Sequence, residues 1–232
     1  MLRKAPCRDL RIVHNPAANI AGKSMPDIPL VLLTATIWTY WFSVASMVVR
    51  LRRKNRKLVG VVPEQRLERL MWLVWMPLVA AWCVLPYLAL SRTAPPLGIP
   101  EFAHASTGYA LLRAVAMVVA VGSLLVTVKC WAHMGSDWRM DVSVTKPTTL
   151  ITDGLFRHIR HPIYAFSMLL MLCSAVIVPT VPMAVAAAVH VVLMNLKARN
   201  EERHLLHAHG SAYQRYLGRT GRFFPRLREL AR

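Results

Sequence analysis

Residues 162–196 read PIYAFSMLLMLCSAVIVPTVPMAVAAAVHVVLMNL. Two apolar blocks, Ile163–Val178 and Val181–Leu196, are separated only by a short turn in which Pro179 and Pro182 flank Thr180-Val181. Proline suits the first turn of a helix and breaks its interior. The stretch therefore predicts a tight hairpin of two helices. Each block falls short of the roughly 20 apolar residues that cross a bilayer unaided, so the pair is expected to tilt or to lean on neighbouring helices.

Working outward, three further blocks have full membrane length. Leu30–Val49 and Leu70–Leu90 carry no charge, and the second contains Pro77 and Pro86, which predict kinks. The third block, from about residue 108 to residue 128, has Arg113 near one end, where a long basic side chain is expected to snorkel. Before them lies a polar stretch with Pro6, Pro16, Pro26 and Pro29, expected to be poorly ordered. No small-residue cleavage site follows the first apolar run, so a signal peptide is not expected. Met25 is a second candidate for the start of translation. The fold class expected is an all-α polytopic membrane protein. It has about five transmembrane helices and a helical cytoplasmic C-terminal segment. The chain divides into an N-terminal segment (1–29), N-terminal membrane helices (30–128) and a polar-flanked region with the hairpin and tail (129–232).

Composition agrees. Hydrophobic residues make up 55% and charged residues 17%, against about 25% charged in soluble domains. The net charge of +18 would point to nucleic acid in a soluble protein. Here the basic residues sit at the edges of apolar blocks, which favours anionic lipid headgroups, and no nucleic-acid partner is expected. The four cysteines (Cys7, Cys83, Cys130, Cys173) form no CxxC or Cys/His pattern, so no metal site is expected.

Loop charge sets an orientation. Residues 50–69 hold eight Lys/Arg, residues 129–162 five and residues 197–232 nine, whereas 91–107 hold only Arg92 and the turn at 179–182 none. Rich and poor loops alternate as five spans require. The positive-inside rule puts the rich loops and the tail in the cytoplasm and the N-terminus outside, against the mild pull of five basic residues in that terminus.

Two polar clusters flank the hairpin. Arg157, Arg160 and His161 precede Pro162, where a helix is expected to begin. A helix N-terminus with basic neighbours suits an anion such as a carboxylate. A basic flank that only anchors the helix reads the same way in sequence. Beyond the hairpin stand Glu201-Glu202, in a chain with 11 acidic residues in all. Lys197 lies four residues earlier, on the same helical face. Spacing alone leaves open a surface ion pair or a carboxylate that holds a cationic ligand group. A hairpin brings both its ends to one membrane face, so His161 and Glu201 are expected to meet. Anion donors on one wall and carboxylates on the other suit a zwitterionic amino-acid moiety.

The run Gly154-x-Phe156-Arg157-x-x-Arg160-His161-Pro162-x-Tyr164, the Glu201-Glu202 pair and the Gly210-x-x-Tyr213-x-x-Tyr216 tail ending at Pro225 resemble the isoprenylcysteine carboxyl methyltransferase family of membrane methyltransferases, related to the phospholipid N-methyltransferases. The resemblance covers roughly residues 130–230. It implies methylation of a lipophilic, lipid or lipidated substrate by S-adenosylmethionine. It further implies cofactor contacts from Thr148, Leu150, Ile151, Phe156, Arg160, His161, Pro162, Ile163, Tyr164 and Glu201. The family usually has arginine where Lys197 stands, and lysine lacks the bidentate grip on a carboxylate; Arg199 is a substitute for orienting the acceptor. The family also usually has tyrosine where Phe156 stands and glycine where Phe166 stands. A carboxylate acceptor would need only alignment and desolvation. An amine or thiol would also need a base, and Glu202 or His204 would take its proton. Competing readings are a phospholipid or small-molecule N- or S-methyltransferase of the same fold, a membrane reductase of sterol-reductase type using NADPH, and a non-enzymatic adaptor or transporter.

Overall fold

The computed structural model describes residues 26–55, 65–91, 96–135, 138 and 149–226. Its helices are α1 (Ile28–Asn55), α2 (Arg66–Ser91), the short α3 (Phe102–Ala105), α4 (Thr107–Met134), α5 (Pro162–Ile177) and α6 (Val181–Arg219), with a 3-10 turn at Gly154–Arg157 before α5. Among the described residues there is no strand, only a single parallel bridge between Ile159 and Gly221. Four helices are long and apolar enough to cross a membrane, and α5 is a shorter apolar helix. The chain is an all-α polytopic membrane protein.

Each helix starts where local chemistry allows. α5 begins at Pro162, with His161 as its N-cap. α6 begins after Thr180, whose hydroxyl accepts from the Met183 amide at 3.4 Å. In α1, the hydroxyls of Thr34, Thr36 and Thr39 donate to carbonyls four residues back. Such bonds keep polar side chains satisfied in an apolar surround. α2 runs on through Pro77 and Pro86 as one helix. At 16 residues, α5 is about 24 Å long, less than the hydrocarbon core of about 30 Å. It packs chiefly along α4 and against α6, which supplies the neighbour support its length demands.

A band of aromatic rings occupies the centre. Tyr40 lies 5.1 Å from Trp131 and 6.1 Å from Trp82, centroid to centroid. Around it, Leu30, Leu33, Ile37, Leu170, Met171 and Ile177 are almost fully buried.

Arg113 does not snorkel. It is 3% exposed; its Nη2 meets Asp27 Oδ2 at 2.5 Å and its Nε donates to the Ile177 carbonyl at 3.0 Å. The physical reason is that α5 ends beside it with carbonyls that have no helical partner. Asp27, placed by sequence in the polar N-terminal stretch, also caps α1 by accepting from the Leu30 amide at 3.2 Å. This contact ties α1, α4 and α5 together at the membrane face opposite the polar clusters. Asp27→Asn should cost about 3 kcal/mol, the low end for stranding one partner of a buried ion pair. Thermal unfolding in detergent checks this, and an unchanged midpoint would remove the tie from the fold.

Candidate active site

The two clusters flanking the hairpin do come together. The Tyr164 hydroxyl donates to Glu201 Oε2 at 2.9 Å. His161 Nδ1 stands 3.5 Å from the same oxygen, and the imidazole lies parallel to the Tyr164 ring at 5.3 Å. The α5 N-terminus has no side-chain cap, so the Ile163 and Tyr164 amides of its first turn have no helical acceptor. Glu201 keeps about a third of its side chain exposed. The result is a carboxylate beside a positive helix end, open on one side.

Glu202 is held differently. It is 9% exposed and accepts from Arg160 Nε at 2.9 Å and from Arg222 Nη2 at 2.5 Å. Arg222 Nε reaches both its oxygens, at 3.0 and 3.1 Å. His161 Nε2 lies 3.4 Å from Oε1 but out of line for a hydrogen bond. Burial pushes the Glu202 carboxyl up, but His161, Arg222 and Arg160 outweigh it and hold it well below the usual carboxylate range. Such a group is a poor proton acceptor at neutral pH.

Arg160 and Arg222 join Glu202 to the tail. Arg160 Nη1 donates to the Thr220 carbonyl, the Arg160 amide to the Gly221 carbonyl at 2.9 Å, and the His161 amide to the Arg222 carbonyl at 3.1 Å. Tyr216 donates to the Phe156 carbonyl at 2.5 Å, and burial pushes its hydroxyl up to about 12, so it stays protonated to do so. Gly210 turns the chain: its φ of 51° interrupts α6, and there glycine pays no Cβ penalty. Gly221 must also be glycine, because a Cβ would run into the Phe224 carbonyl. The tail thus folds back and fixes the loop before α5.

Beside Tyr164 opens a cavity of about 530 Å³ including its mouth. Ile163, Tyr164 and Lys197 line it, together with aromatic residues of α1, α2 and α4. A smaller recess between α2 and α6 shares Trp75, Met194 and Lys197 with it. Arg199, in contrast, is exposed and lines neither, as its two-residue offset from Lys197 on a helix requires. His204 meets Gln65 at 3.3 Å and lines neither space. Phe156 is buried against His133 at 6.1 Å. Leu150 and Ile151 are half-buried in the loop before the 3-10 turn, and Thr148 lies outside the described residues.

Sequence reasoning did not find Arg222 and Thr220, nor the aromatic residues of the cavity. Arg222 is one of nine basic residues in the tail, with nothing local to mark it. The aromatic residues lie on separate helices, and only the folded bundle brings them together.

Residues 114–207 match the model of the isoprenylcysteine carboxyl methyltransferase family. A stretch of 113 residues is 31% identical to a nickel-cobalt-cadmium resistance protein, NccN, of Alcaligenes xylosoxydans xylosoxydans, covering 48% of this chain and 52% of that one. The chain thus spans about half the length of that relative. From α4 to the middle of α6, this membrane protein is thus similar to the isoprenylcysteine carboxyl methyltransferase family.

Proposed function

We propose that the chain is an S-adenosylmethionine-dependent methyltransferase acting on a lipophilic acceptor at the cytoplasmic membrane face. The observation that carries this reading is Glu201, held by Tyr164 at 2.9 Å beside the uncapped start of α5. The residues present fit the amino-acid end of that cofactor. Glu201 would take its ammonium group, and the Ile163 and Tyr164 amides, with the positive end of α5, its carboxylate. Leu150, Ile151 and Phe156, with Thr148, are assigned to an apolar wall for the rest of the cofactor. The bound group supplies a methyl carried on a positively charged sulfonium.

The other residues divide the work. Pro162 and Ile163 set the start of α5 and the cavity wall. Lys197, which lines the cavity, orients the acceptor; Arg199 is not given that role. Arg160 and Glu202 hold the tail against the loop, so Glu202 is assigned to position and not to proton transfer. The acceptor enters from the bilayer between α2 and α6, where the recess adjoins the cavity. The cytoplasmic placement rests on loop charge, since the site stands on the face that carries the basic loops.

Tyr164→Phe should weaken S-adenosylmethionine binding about tenfold, the worth of one hydrogen bond to a charged group at its low end. Calorimetry in detergent reads this; equal affinities would leave Tyr164 without a part in the site. The reading as a whole is tested by titrating purified protein with S-adenosylmethionine and, separately, with NADPH. Binding of the first and not the second is expected, and the reverse would turn the site into a reductase.

A further inference from the structure

The inner end of the aromatic cavity is polar and incomplete. Ser167 Oγ and His190 Nε2 stand 2.9 Å apart, and both residues line the cavity. His190 is 1% exposed, yet its Nδ1 has no partner among the described residues. Two further lining residues, Trp41 and Trp75, each bury an indole N–H that is likewise unpartnered. A bare buried polar atom costs free energy unless something fills it. Beneath His190 the space is closed by Trp82, whose ring lies tilted against the imidazole at 5.3 Å and which donates to Ser174 at 3.0 Å.

Dimensions limit the occupant. Lys197 near the mouth and His190 at the floor are seven residues apart on α6, about 10 Å of helix. A chain filling one leaflet needs about 15 Å, half the hydrocarbon core. The walls are rings: Trp41 and Trp75 meet edge to face at 5.4 Å, with Tyr40 and Trp131 beside them. Flat apolar faces with edge N–H groups match a planar ring better than a flexible chain, since stacking adds to area burial.

We propose that the methyl acceptor is a compact ring-bearing molecule with a hydroxyl or carbonyl at the end remote from the methylated group, and that Ser167 and His190 recognise that end. This rests on the methyltransferase reading for which end is methylated, but the pocket itself does not. A hydroxyl suits either tautomer of His190, because it both donates and accepts. Ser167 and His190 are then specificity residues that touch the acceptor far from the transferred methyl.

The test measures binding to the full chain in lipid nanodiscs by calorimetry, with 2,6-dihydroxynaphthalene, 2-naphthol, naphthalene and N-acetyl-S-farnesylcysteine as probes. The diol should bind about tenfold more tightly than 2-naphthol, as one added hydrogen bond implies, and the farnesyl compound more weakly than either. Ser167→Ala and His190→Leu should each bring diol and naphthol within about twofold of one another, leaving naphthalene unchanged. Ser167→Ala removes one oxygen and serves if His190→Leu fails to fold. Tighter binding of the farnesyl compound, or indifference to the second hydroxyl in the native chain, would overturn the proposal. Absence of S-adenosylmethionine binding with the diol preference intact would instead defeat the methyltransferase reading and leave the pocket standing.

Discussion

Glu201→Gln is expected to weaken S-adenosylmethionine binding roughly 10- to 100-fold while leaving thermal stability close to that of the native chain. The substitution keeps the size of the side chain and its ability to accept from Tyr164, but removes the charge. A hydrogen bond to a charged group is worth about 1.5–3 kcal/mol, and the partial exposure of Glu201 favours the lower half of that range through solvent screening. Stability should hold because, among the described residues, no guanidinium pairs with Glu201; Arg160 and Arg222 both turn to Glu202. Calorimetry and a thermal melt on the same preparation read the two quantities separately. Native affinity in Glu201→Gln would refute the placement of the ammonium group, however well the chain is folded. A large loss of stability would instead make Glu201 part of the scaffold.

The separate behaviour of two adjacent carboxylates shows where sequence reading stops. The apolar blocks were legible because membrane length and uniform hydropathy leave little choice, and helices appear at each of them. The start of α5 was legible at single-residue level, since Pro162 after a basic cluster favours the first turn of a helix. The meeting of His161 and Glu201 followed from the hairpin, because antiparallel helices return the chain to its starting face. Adjacent residues on a helix point about 100° apart, however, and spacing could not say which of Glu201 and Glu202 faces the opening. That depended on Arg222, brought back by the turn at Gly210. Arg113 was misread for a related reason: a basic residue at the end of a span snorkels only when no acid and no free carbonyl lies within reach, and Asp27 and Ile177 are both distant in sequence.

Glu202→Gln should be the more damaging substitution for the fold. It leaves two guanidinium groups, one on Arg160 at 9% side-chain exposure and one on Arg222 at 30%, facing a neutral amide. Breaking a buried pair by neutralising one partner typically costs 3–5 kcal/mol. The solvent reaching Arg222 argues for about 3 kcal/mol here. The loss should also depend on pH, with a definite sign. The native carboxyl is held below its ordinary value, so its contribution is fully present above the usual glutamate pKa of about 4.3 and fades as pH falls below it. The stability gap between native chain and variant should therefore be widest near pH 7 and narrow towards pH 3. A residue acting mainly as a proton acceptor in the reaction would give the opposite pattern: a variant as stable as the native chain at every pH, but slow in methyl transfer with S-adenosylmethionine binding intact. Unfolding midpoints across that pH range, taken beside cofactor affinity at pH 7, decide between a clasp for the tail and a base for the chemistry. The clasp predicts that affinity falls with stability, because the tail that Glu202 secures also fixes the Arg160 and His161 backbone leading into α5.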